Sequence, residues 1–283
     1  MLKKRLISKM LPRPLVSVLM PAYNAQSYLE KAIESILNQT FADFEFIITD
    51  DGSSDQTPLI IEEYAKKDGR IIFLQNSQNL KISQTLNWGL EIARGEFICR
   101  MDADDWSYPE RLAVQLDFLQ VHPKVVICGA DIEVCDQNLN ILNSRTYPKS
   151  DLQIRERIFQ INPFAHSVTF YRAETAKKAG GYDANFNLAE DYDLYFRMGK
   201  YGEFANIPKV LLKLRTHPQS LSALQISTQA RLNFSVRLRA LKTYGYKAGW
   251  SDKFFLLINY LAIFLIPNQW KFKLYNFVRR FYG

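Results

Sequence analysis

Short apolar runs alternate with amphipathic stretches through the first half of the chain. Ser27 is the expected N-cap of the first helix, and Thr57 and Pro58 are the expected N-cap and first position of the second. The predicted strands cover 16–20, 44–49, 71–74 and 97–101, and the predicted helices about 28–39, 58–67 and 83–93. This alternation predicts an α/β domain with a mostly parallel central sheet flanked by helices.

The second half of the chain is less regular. Leucines at helical spacing predict a helix after Pro109. The other predicted features are a strand at 125–128, a polar hairpin-like region near 131–147, an apolar segment at 167–171, a turn at 180–182, a helix that starts at 190 and a helical tail from about 229.

Polar clusters directly follow three of the predicted strands. They occupy 21–24, 50–55 and 102–105. Ligands of open α/β sheets lie beyond the C-terminal ends of the strands. We therefore expect the three clusters to converge on one edge of the sheet.

The composition fits one large folded domain, with or without an appendage. The chain has 283 residues, of which 47% are hydrophobic and 23% charged. Three cysteines leave an odd thiol, which argues against a disulfide scaffold and for a reducing compartment. A cytoplasmic location is the expectation.

The charge is concentrated at one end. The net charge is +7, but 231–283 carry ten Lys and Arg against the single acid Asp252, so that the remainder is slightly acidic. A basic tail suits a nucleic acid or an anionic membrane, and here aromatic and aliphatic residues separate the charges. The apolar run 254–266 is shorter than the about 20 residues of a membrane span. Near the N-terminus, Pro12 and Pro14 precede any apolar run, so we expect no secretion signal.

The acidic clusters each have a functional and a structural interpretation. Asp102, Asp104 and Asp105 crowd three carboxylates after a strand, which suits Mg²⁺ or Mn²⁺ but also fits a solvated acidic turn. The 50–55 segment is either a turn with an Asx cap or a site for a nucleobase or ribose. The acids at 190–191 are either residues that the dipole of the helix starting there stabilises, or they include a general base.

His217 is one of three histidines, and such a residue is more often packed or exposed than functional. As a third metal ligand beside the acids it is chemically sensible. Zinc-type Cys/His spacing, a phosphate-loop glycine pattern and a Gly-x-Ser-x-Gly elbow are all absent from the sequence. Hydrolase and P-loop functions therefore lose support.

Taken together, the motifs resemble the family 2 glycosyltransferases, inverting enzymes of the glycosyltransferase type A fold. The resemblance covers about 15–222 and is closest to bacterial transferases that extend lipooligosaccharide, capsule or O-antigen chains. The matching segments are VSVLMPAYN at 16–24, SILNQT at 35–40, DDGSSD at 50–55, TLNWG at 85–89, ARGEFI at 93–98, RMDADD at 100–105 and AEDYDL at 189–194.

The resemblance implies a role for each matching residue. The donor pocket comprises Pro21, Ala22, Tyr23 and Asn24 around the uridine, Asp50 and Asp51 at the base or ribose, and Asp102, Ala103 and Asp105 at the ribose and donor sugar. The metal site, for Mn²⁺ or Mg²⁺, comprises Asp104 as the direct ligand with Asp102 and His217. Asp191 matches the catalytic base, and Glu190 is expected near the acceptor. Lys81 stands where the family usually has glycine and either adds a cation near the diphosphate or is a surface residue.

The same resemblance implies an inverting displacement that moves a sugar from a UDP-sugar to a hydroxyl of a lipid-linked surface glycan. N-acetylglucosamine is the leading donor sugar, followed by galactose and glucose. The expected divisions are a basic arm at 1–14, a catalytic domain at 15–228 with donor and acceptor halves that meet near 106, and a C-terminal region at 229–283.

Residues 250–283 are expected to attach the protein to the inner face of the cytoplasmic membrane, with four aromatic residues at the interface. These are Trp270, Tyr275, Phe277 and Phe281. The alternative is a tail packed on its own domain or on a second subunit of a homodimer.

Two other functions use some of these features. A sugar-1-phosphate nucleotidyltransferase needs a glycine-rich basic loop near its N-terminus, and Pro21 to Asn24 is not one. A nucleic-acid-binding protein explains the basic tail but leaves the acidic clusters without a role. We therefore expect no nucleic-acid partner.

Overall fold

The structure, a computed structural model, describes residues 13–217 and 225–265. The predictions for the N-terminal arm up to residue 12, and for Trp270, Tyr275, Phe277 and Phe281, fall outside these residues.

The described residues form a single mixed sheet of nine strands. The strands are β1 Val16–Ala22, β2 Phe44–Asp50, β3 Ile71–Gln75, β4 Phe97–Arg100, β5 Trp106–Ser107, β6 Val125–Cys135, β7 Ile141–Arg145, β8 Phe170–Arg172 and β9 Glu203–Arg215. Their order is β3-β2-β1-β4-β8-β6-β9-β5, and β7 pairs with β6. The four strands β1 to β4 are mutually parallel, as the sequence predicts. Beyond them β8 runs antiparallel, whereas β6 and β9 are parallel to each other.

Helices flank the sheet on both faces. The α-helices are α1 Leu29–Leu37, α2 Thr57–Lys67, α3 Ile82–Ile92, α4 Arg111–Val121, α5 Asp151–Arg157, α6 Ala173–Lys178, α7 Glu190–Met198, α8 Ile226–Thr243 and α9 Trp250–Leu265, with short 3₁₀ turns at His166–Val168 and Ala184–Phe186. This architecture is the α/β type A fold that the sequence predicts.

Two helix starts differ from the prediction. Helix α1 begins at Leu29 after Tyr28, and Ser27 does not cap it. Thr57 is the first residue of α2 and not its cap, because Gln56 occupies the cap position. The Thr57 hydroxyl accepts a hydrogen bond from the Ala25 backbone nitrogen at 2.8 Å. Thr57 therefore ties the loop after β1 to α2.

The sequence did not predict the 13-residue strand β9. Pro208 and Lys209 interrupt its apolar pattern and lie where the pairing with β6 shifts register. The strand ends at Arg215 and thereby carries His217 back to the acidic cluster.

The core has two parts, one on each face of the sheet. Helix α8 contributes Val236 and Ala240 to the part that also contains Tyr192 and Phe196 of α7. The start of the C-terminal region therefore packs on the catalytic domain. Within 13–217 and 225–265, the structure contains no helix of the length and apolarity that crossing a membrane requires.

Candidate active site

The loops after β1 and β2 are tied to each other by side chains. Asn24, in the left-handed region with φ 48°, accepts at its side-chain oxygen from the Ser54 backbone nitrogen at 2.9 Å. Its own backbone nitrogen donates to the Ser53 hydroxyl at 2.9 Å. Tyr23, which lies between the end of β1 and Asn24 in the chain, is half exposed. The structure thus brings the predicted 21–24 and 50–55 clusters together.

The two aspartates at the end of β2 have different surroundings. Asp50 is fully buried and accepts from the Ser53 backbone nitrogen at 3.3 Å. Asp51 accepts from the side chain of Asn76 at 2.8 Å and from the backbone nitrogens of Leu80 and Lys81 at 2.9 and 3.0 Å. Asp51 therefore holds the 79–81 loop in place by hydrogen bonds. The sequence motif at 50–55 did not predict this role.

Lys81 adopts a backbone conformation that normally requires glycine. Its φ is 73° and its ψ is 160°, a region of the backbone map that is occupied almost entirely by glycine. The side chain is exposed. Lys81 therefore holds a backbone conformation suited to glycine, at a cost in strain.

The three carboxylates after β4 are close enough to share a cation. Oxygens of Asp102, Asp104 and Asp105 all lie within 4.8 Å of one another. Nε2 of His217 lies 3.0 Å from Oδ2 of Asp104. Neighbouring ligands of an octahedral ion with bonds of ~2.1 Å are separated by about 3 Å. Oxygen ligands with one imidazole therefore fit Mn²⁺ or Mg²⁺.

The buried guanidinium of Arg100 lies beneath this cluster. It pairs with Asp102, and Arg111, also buried, donates to the Arg100 carbonyl at 2.7 Å. Burial raises the pKa of Asp102, an effect that Arg100 opposes. Burial and the two neighbouring carboxylates raise the pKa of Asp105 well above its ordinary value. Arg100 therefore places a buried positive charge directly against the acidic cluster.

Arg215 is a site residue that sequence reasoning missed. Its backbone nitrogen donates to Asp105 at 2.8 Å, and its side chain donates to the Asp104 carbonyl at 2.6 Å. The guanidinium also lies over the ring of Tyr28, and the ring of Tyr28 contacts that of His217 with centroids 4.8 Å apart. The Arg-x-His spacing at 215–217 is the sequence feature that could have identified Arg215 as a neighbour of the acidic cluster.

The predicted base lies at the N-terminus of α7. Asp191 is partly buried, and its Oδ2 accepts from the Asn162 side chain at 2.8 Å. Burial raises the pKa of Asp191, and the hydrogen bond from Asn162 opposes this shift. The Asp191 carboxylate can therefore accept a proton from a nearby hydroxyl.

Glu190, in contrast, is turned into the protein. Its side chain is 5% exposed, and it accepts from the Leu188 backbone nitrogen at 2.6 Å. Burial, followed by the charge of Asp191, raises its pKa to about 8. These contacts favour a role in fixing the start of α7 over the contact with an acceptor that the sequence suggested.

One turn connects the acidic cluster to the start of α7. The Ser167 hydroxyl accepts from the Asp102 backbone nitrogen at 3.1 Å, and Nδ1 of the neighbouring His166 lies 3.7 Å from Oε1 of Glu190. Burial and the charge of Arg100 lower the pKa of His166 well below its usual value, so this histidine is neutral. The turn therefore links the acidic cluster to the N-terminus of α7, which carries Asp191.

The chain matches known proteins along most of its length. Residues 17–179 match the family model described as glycosyl transferase family 2. An uncharacterized glycosyltransferase, MJ1057 of Methanocaldococcus jannaschii, is 32% identical over 276 residues, covering 90% of this chain and 91% of the relative. The putative glycosyltransferase EpsE of Bacillus subtilis is 34% identical over 206 residues, covering 71% of this chain and 73% of the relative.

Solved structures share the fold at low sequence identity. TarS residues 1–349 of S. aureus in complex with UDP-GlcNAc superpose with a TM-score of 0.68 at 20% identity, covering 87% of this chain and 72% of that one. The mannosyltransferase PcManGT of Pyrobaculum calidifontis, in complex with GDP-Man and Mn²⁺, superposes with a TM-score of 0.65 at 17% identity, covering 93% and 76%. The chain spans 44% of another, longer TarS structure.

Proposed function

This chain belongs to glycosyl transferase family 2, and on that premise we propose that it moves a sugar from a UDP-sugar to a hydroxyl of a growing surface glycan, with inversion at the anomeric carbon. The observation that carries the proposal is the turn at His166 and Ser167, which joins the acidic cluster to the helix of Asp191. An inverting transfer needs a site for the diphosphate and a base for the acceptor at adjacent positions.

The donor is proposed to lie across the ends of β1, β2 and β4. Its uridine would contact Tyr23 and the Asp50–Asp51 turn, with Pro21, Ala22 and Asn24 forming the wall of the pocket, and the donor sugar would face Ala103 and Asp105. Support comes from the mutual hydrogen bonds of these loops and from the UDP and UDP-GlcNAc complexes of TarS. N-acetylglucosamine is the sugar we favour, with galactose or glucose next.

The metal ligands are proposed to be Asp104, Asp102 and His217. A bound Mn²⁺ or Mg²⁺ would neutralise the charge that develops on the departing diphosphate. Asp102 is already paired with Arg100, so Asp104 and His217, 3.0 Å apart, are the expected main ligands. The PcManGT complex with Mn²⁺ supports the choice of ion.

The reaction itself is a direct displacement. The acceptor oxygen forms a bond to the anomeric carbon while the bond from that carbon to the diphosphate oxygen breaks, and Asp191 takes the acceptor proton. Because the acceptor attacks opposite the leaving group, an α-configured donor gives a β-linked product. Asn162 holds one oxygen of the base by a hydrogen bond, and Asn162 and Arg100 both lower the pKa of Asp191 against the effect of burial.

The acceptor is proposed to be a lipid-linked glycan at the inner face of the cytoplasmic membrane. Helix α9 exposes a row of apolar side chains, which are Trp250, Phe254, Leu257, Ile258 and Leu261. Their spacing places them on one face of a helix, and exposed Lys247 and Lys253 lie nearby in sequence. An anionic bilayer surface suits both features. Within the C-terminal region at 229–283, we propose that 250–283 attach to the membrane, because helix α8 before them packs on the catalytic domain at 15–228.

The proposal is tested by measuring nucleoside diphosphate release from UDP-, GDP- and dTDP-sugars, with Mn²⁺ or with EDTA. The wild type is compared with Asp104→Ala and Asp191→Asn. Metal-dependent release of UDP from one donor, lost in both variants, is the expected result. No release from any donor, together with no donor binding by calorimetry, would contradict the proposal.

A further inference from the structure

The Asp191 carboxylate is held by an amide from outside its own helix. Asn162 lies 29 residues earlier, in the loop that follows α5, and its Nδ2 donates to Asp191 Oδ2 at 2.8 Å. Among the residues that the structure describes, Asn162 is the side chain that hydrogen-bonds to this carboxylate. One oxygen of the carboxylate is thus fixed, whereas Oδ1 accepts no hydrogen bond from a side chain of the described residues.

The loop that carries Asn162 is anchored on one side by Asn206 of β9. The buried Asn206 amide donates to the carbonyls of Pro148 and Pro163, at 2.7 and 3.1 Å. Phe164, 2% exposed, packs edge-on against Tyr195 of α7 with ring centroids 5.0 Å apart. The residues next to Asn162 therefore move with the sheet and with the helix of the base.

The C-terminal helices anchor the other side of this loop. Arg237 of α8 donates to the Gln160 carbonyl at 3.2 Å and to the Tyr192 hydroxyl at 3.1 Å. The Gln160 side chain donates to Asp252 of α9 at 3.2 Å. Tyr192 in turn donates to the Ile158 carbonyl. The loop is thus tied to α7, α8 and α9, and Asn162 has a fixed position relative to Asp191.

We propose that Asn162 is a positioning residue for the transfer reaction, which holds Oδ2 of Asp191 so that Oδ1 faces the acceptor hydroxyl. The inference rests on the proposed role of Asp191 as the base. A hydrogen bond to a carboxylate favours its ionised form, and a well-oriented pair of reacting groups lowers the barrier by avoiding the search for that geometry. An amide supplies the hydrogen bond without adding a charge.

Apart from the neutral amide of Asn162, the base has several charged or titratable neighbours. They are Glu190, Tyr192 and Tyr195 of its own helix and Arg100 of β4. Arg100 favours the ionised carboxylate, and burial opposes it. Without the Asn162 amide, only Arg100 and backbone donors would counteract the effect of burial on the pKa of Asp191. That pKa should therefore rise, and the base should ionise at a higher pH.

The test is a double-mutant cycle with Asn162→Ala and Asp191→Asn in the full-length chain. In the wild-type background, Asn162→Ala should lower kcat by about 10- to 100-fold, leave KM for the donor unchanged and shift the acidic limb of the pH profile upward. In the Asp191→Asn background, the same change should alter the residual rate less than about twofold, because the carboxylate is already gone.

Asn162→Asp is the second variant, because its shape is nearly unchanged and the loop should fold. It places another carboxylate against Asp191 and should shift the acidic limb upward as well. Asn143→Ala, on the exposed strand β7, is the matched control and should behave as wild type.

Two results would overturn the inference, and a third would affect its premise. Equal losses from Asn162→Ala in both backgrounds would show a structural effect alone. Wild-type kcat and pH profiles in both Asn162 variants, with Asp191→Asn inactive, would exclude positioning by Asn162 while the base assignment stands. A fully active Asp191→Asn would instead refute the proposed base.

Discussion

Nε2 of His217 lies 3.0 Å from Oδ2 of Asp104, although the two residues are 113 positions apart in the chain. Strand β9 produces this contact, because it ends at Arg215 beside the acidic cluster. Tyr28 covers the same histidine with its ring, so the loop after β1 also meets the cluster here. One contact therefore joins the first and the last segments of the site.

Replacing His217 with alanine should weaken metal binding without unfolding the protein. Loss of a residue that ligates or orients at a metal site costs about 10- to 100-fold in metal affinity or activity. The Mn²⁺ concentration for half-maximal UDP release should rise accordingly, and Asp104→Ala should have the larger effect. His122→Ala, at an exposed histidine of the α4 terminus, is the control. An unchanged Mn²⁺ dependence in His217→Ala would exclude this histidine from the metal site.

The two acids at the start of α7 should respond differently to amide substitution. Asp191→Asn removes the proposed base, and turnover should fall by about 10²- to 10⁴-fold. Glu190→Gln should retain most of the turnover at pH 7, because the pKa of Glu190 is raised to about 8 and its carboxyl is already mainly protonated. Steady-state rates at saturating donor and acceptor distinguish the two variants. Comparable losses in both would show that the charge of Glu190 takes part in the reaction.

The strain at Lys81 can be separated from the charge of its side chain. Lys81→Gly relieves the backbone, so the free energy of unfolding should rise by about 1–3 kcal/mol, whereas Lys81→Ala should bring no such gain. If the ammonium group contacts the diphosphate, both variants should raise KM for the donor by a similar factor. Thermal melts and donor titrations measure the two effects independently. An unchanged KM in both variants would assign Lys81 to the surface.

The fold of the donor half was predictable because its signals are local. Each of β1 to β4 is an apolar run followed by a turn-rich cluster, and parallel strands bring the ends of such runs to one edge. The sequence likewise predicted site residues at 102–105 and 190–191, and the structure brings the three carboxylates of 102–105 within 4.8 Å of one another.

The contacts that organise the site were not predictable, because they join distant segments. Asn162 and Arg215 carry no local signal of their partners, which lie 29 and 110 residues away. The inward turn of Glu190 depends on Leu188 and His166, whose positions follow from the tertiary packing. Residue type and spacing therefore predicted where the acids cluster, but not the contacts that each of them makes.

The stability of the protein should fall as the pH rises from about 6.5 to 8. Burial raises the pKa of Glu190 in the folded protein to about 8 from its ordinary value of 4.5, so its protonated form stabilises the fold and this contribution is lost as the pH rises through 8. The lowered pKa of His166 acts only below its ordinary value of about 6.5, where acid destabilises the fold. Glu190→Gln should therefore flatten the decline in melting temperature between pH 6.5 and 8. The same slope in wild type and variant would show that Glu190 is ionised throughout this range.

The exposed face of α9 should bind anionic vesicles. Substitution is preferable to truncation for this test, because Val236 and Ala240 of the preceding helix are fully buried and removing the region would damage the core. Phe254 and Leu257 are 67% and 54% exposed, so replacing both with glutamate should leave the fold and transfer to a soluble acceptor intact. Co-sedimentation with phosphatidylserine vesicles at low salt should be lost in this variant.

The matched control for the vesicle experiment is Leu152→Glu, at a leucine that is 67% exposed on α5. It adds a negative charge to the protein without touching α9, so it should sediment with the vesicles nearly as the wild type does. Binding should weaken as salt is added, because the basic residues near α9 act through screened charges. A wild-type protein that stays in the supernatant with anionic vesicles at low salt would exclude a lipid surface as the partner of the apolar face of α9.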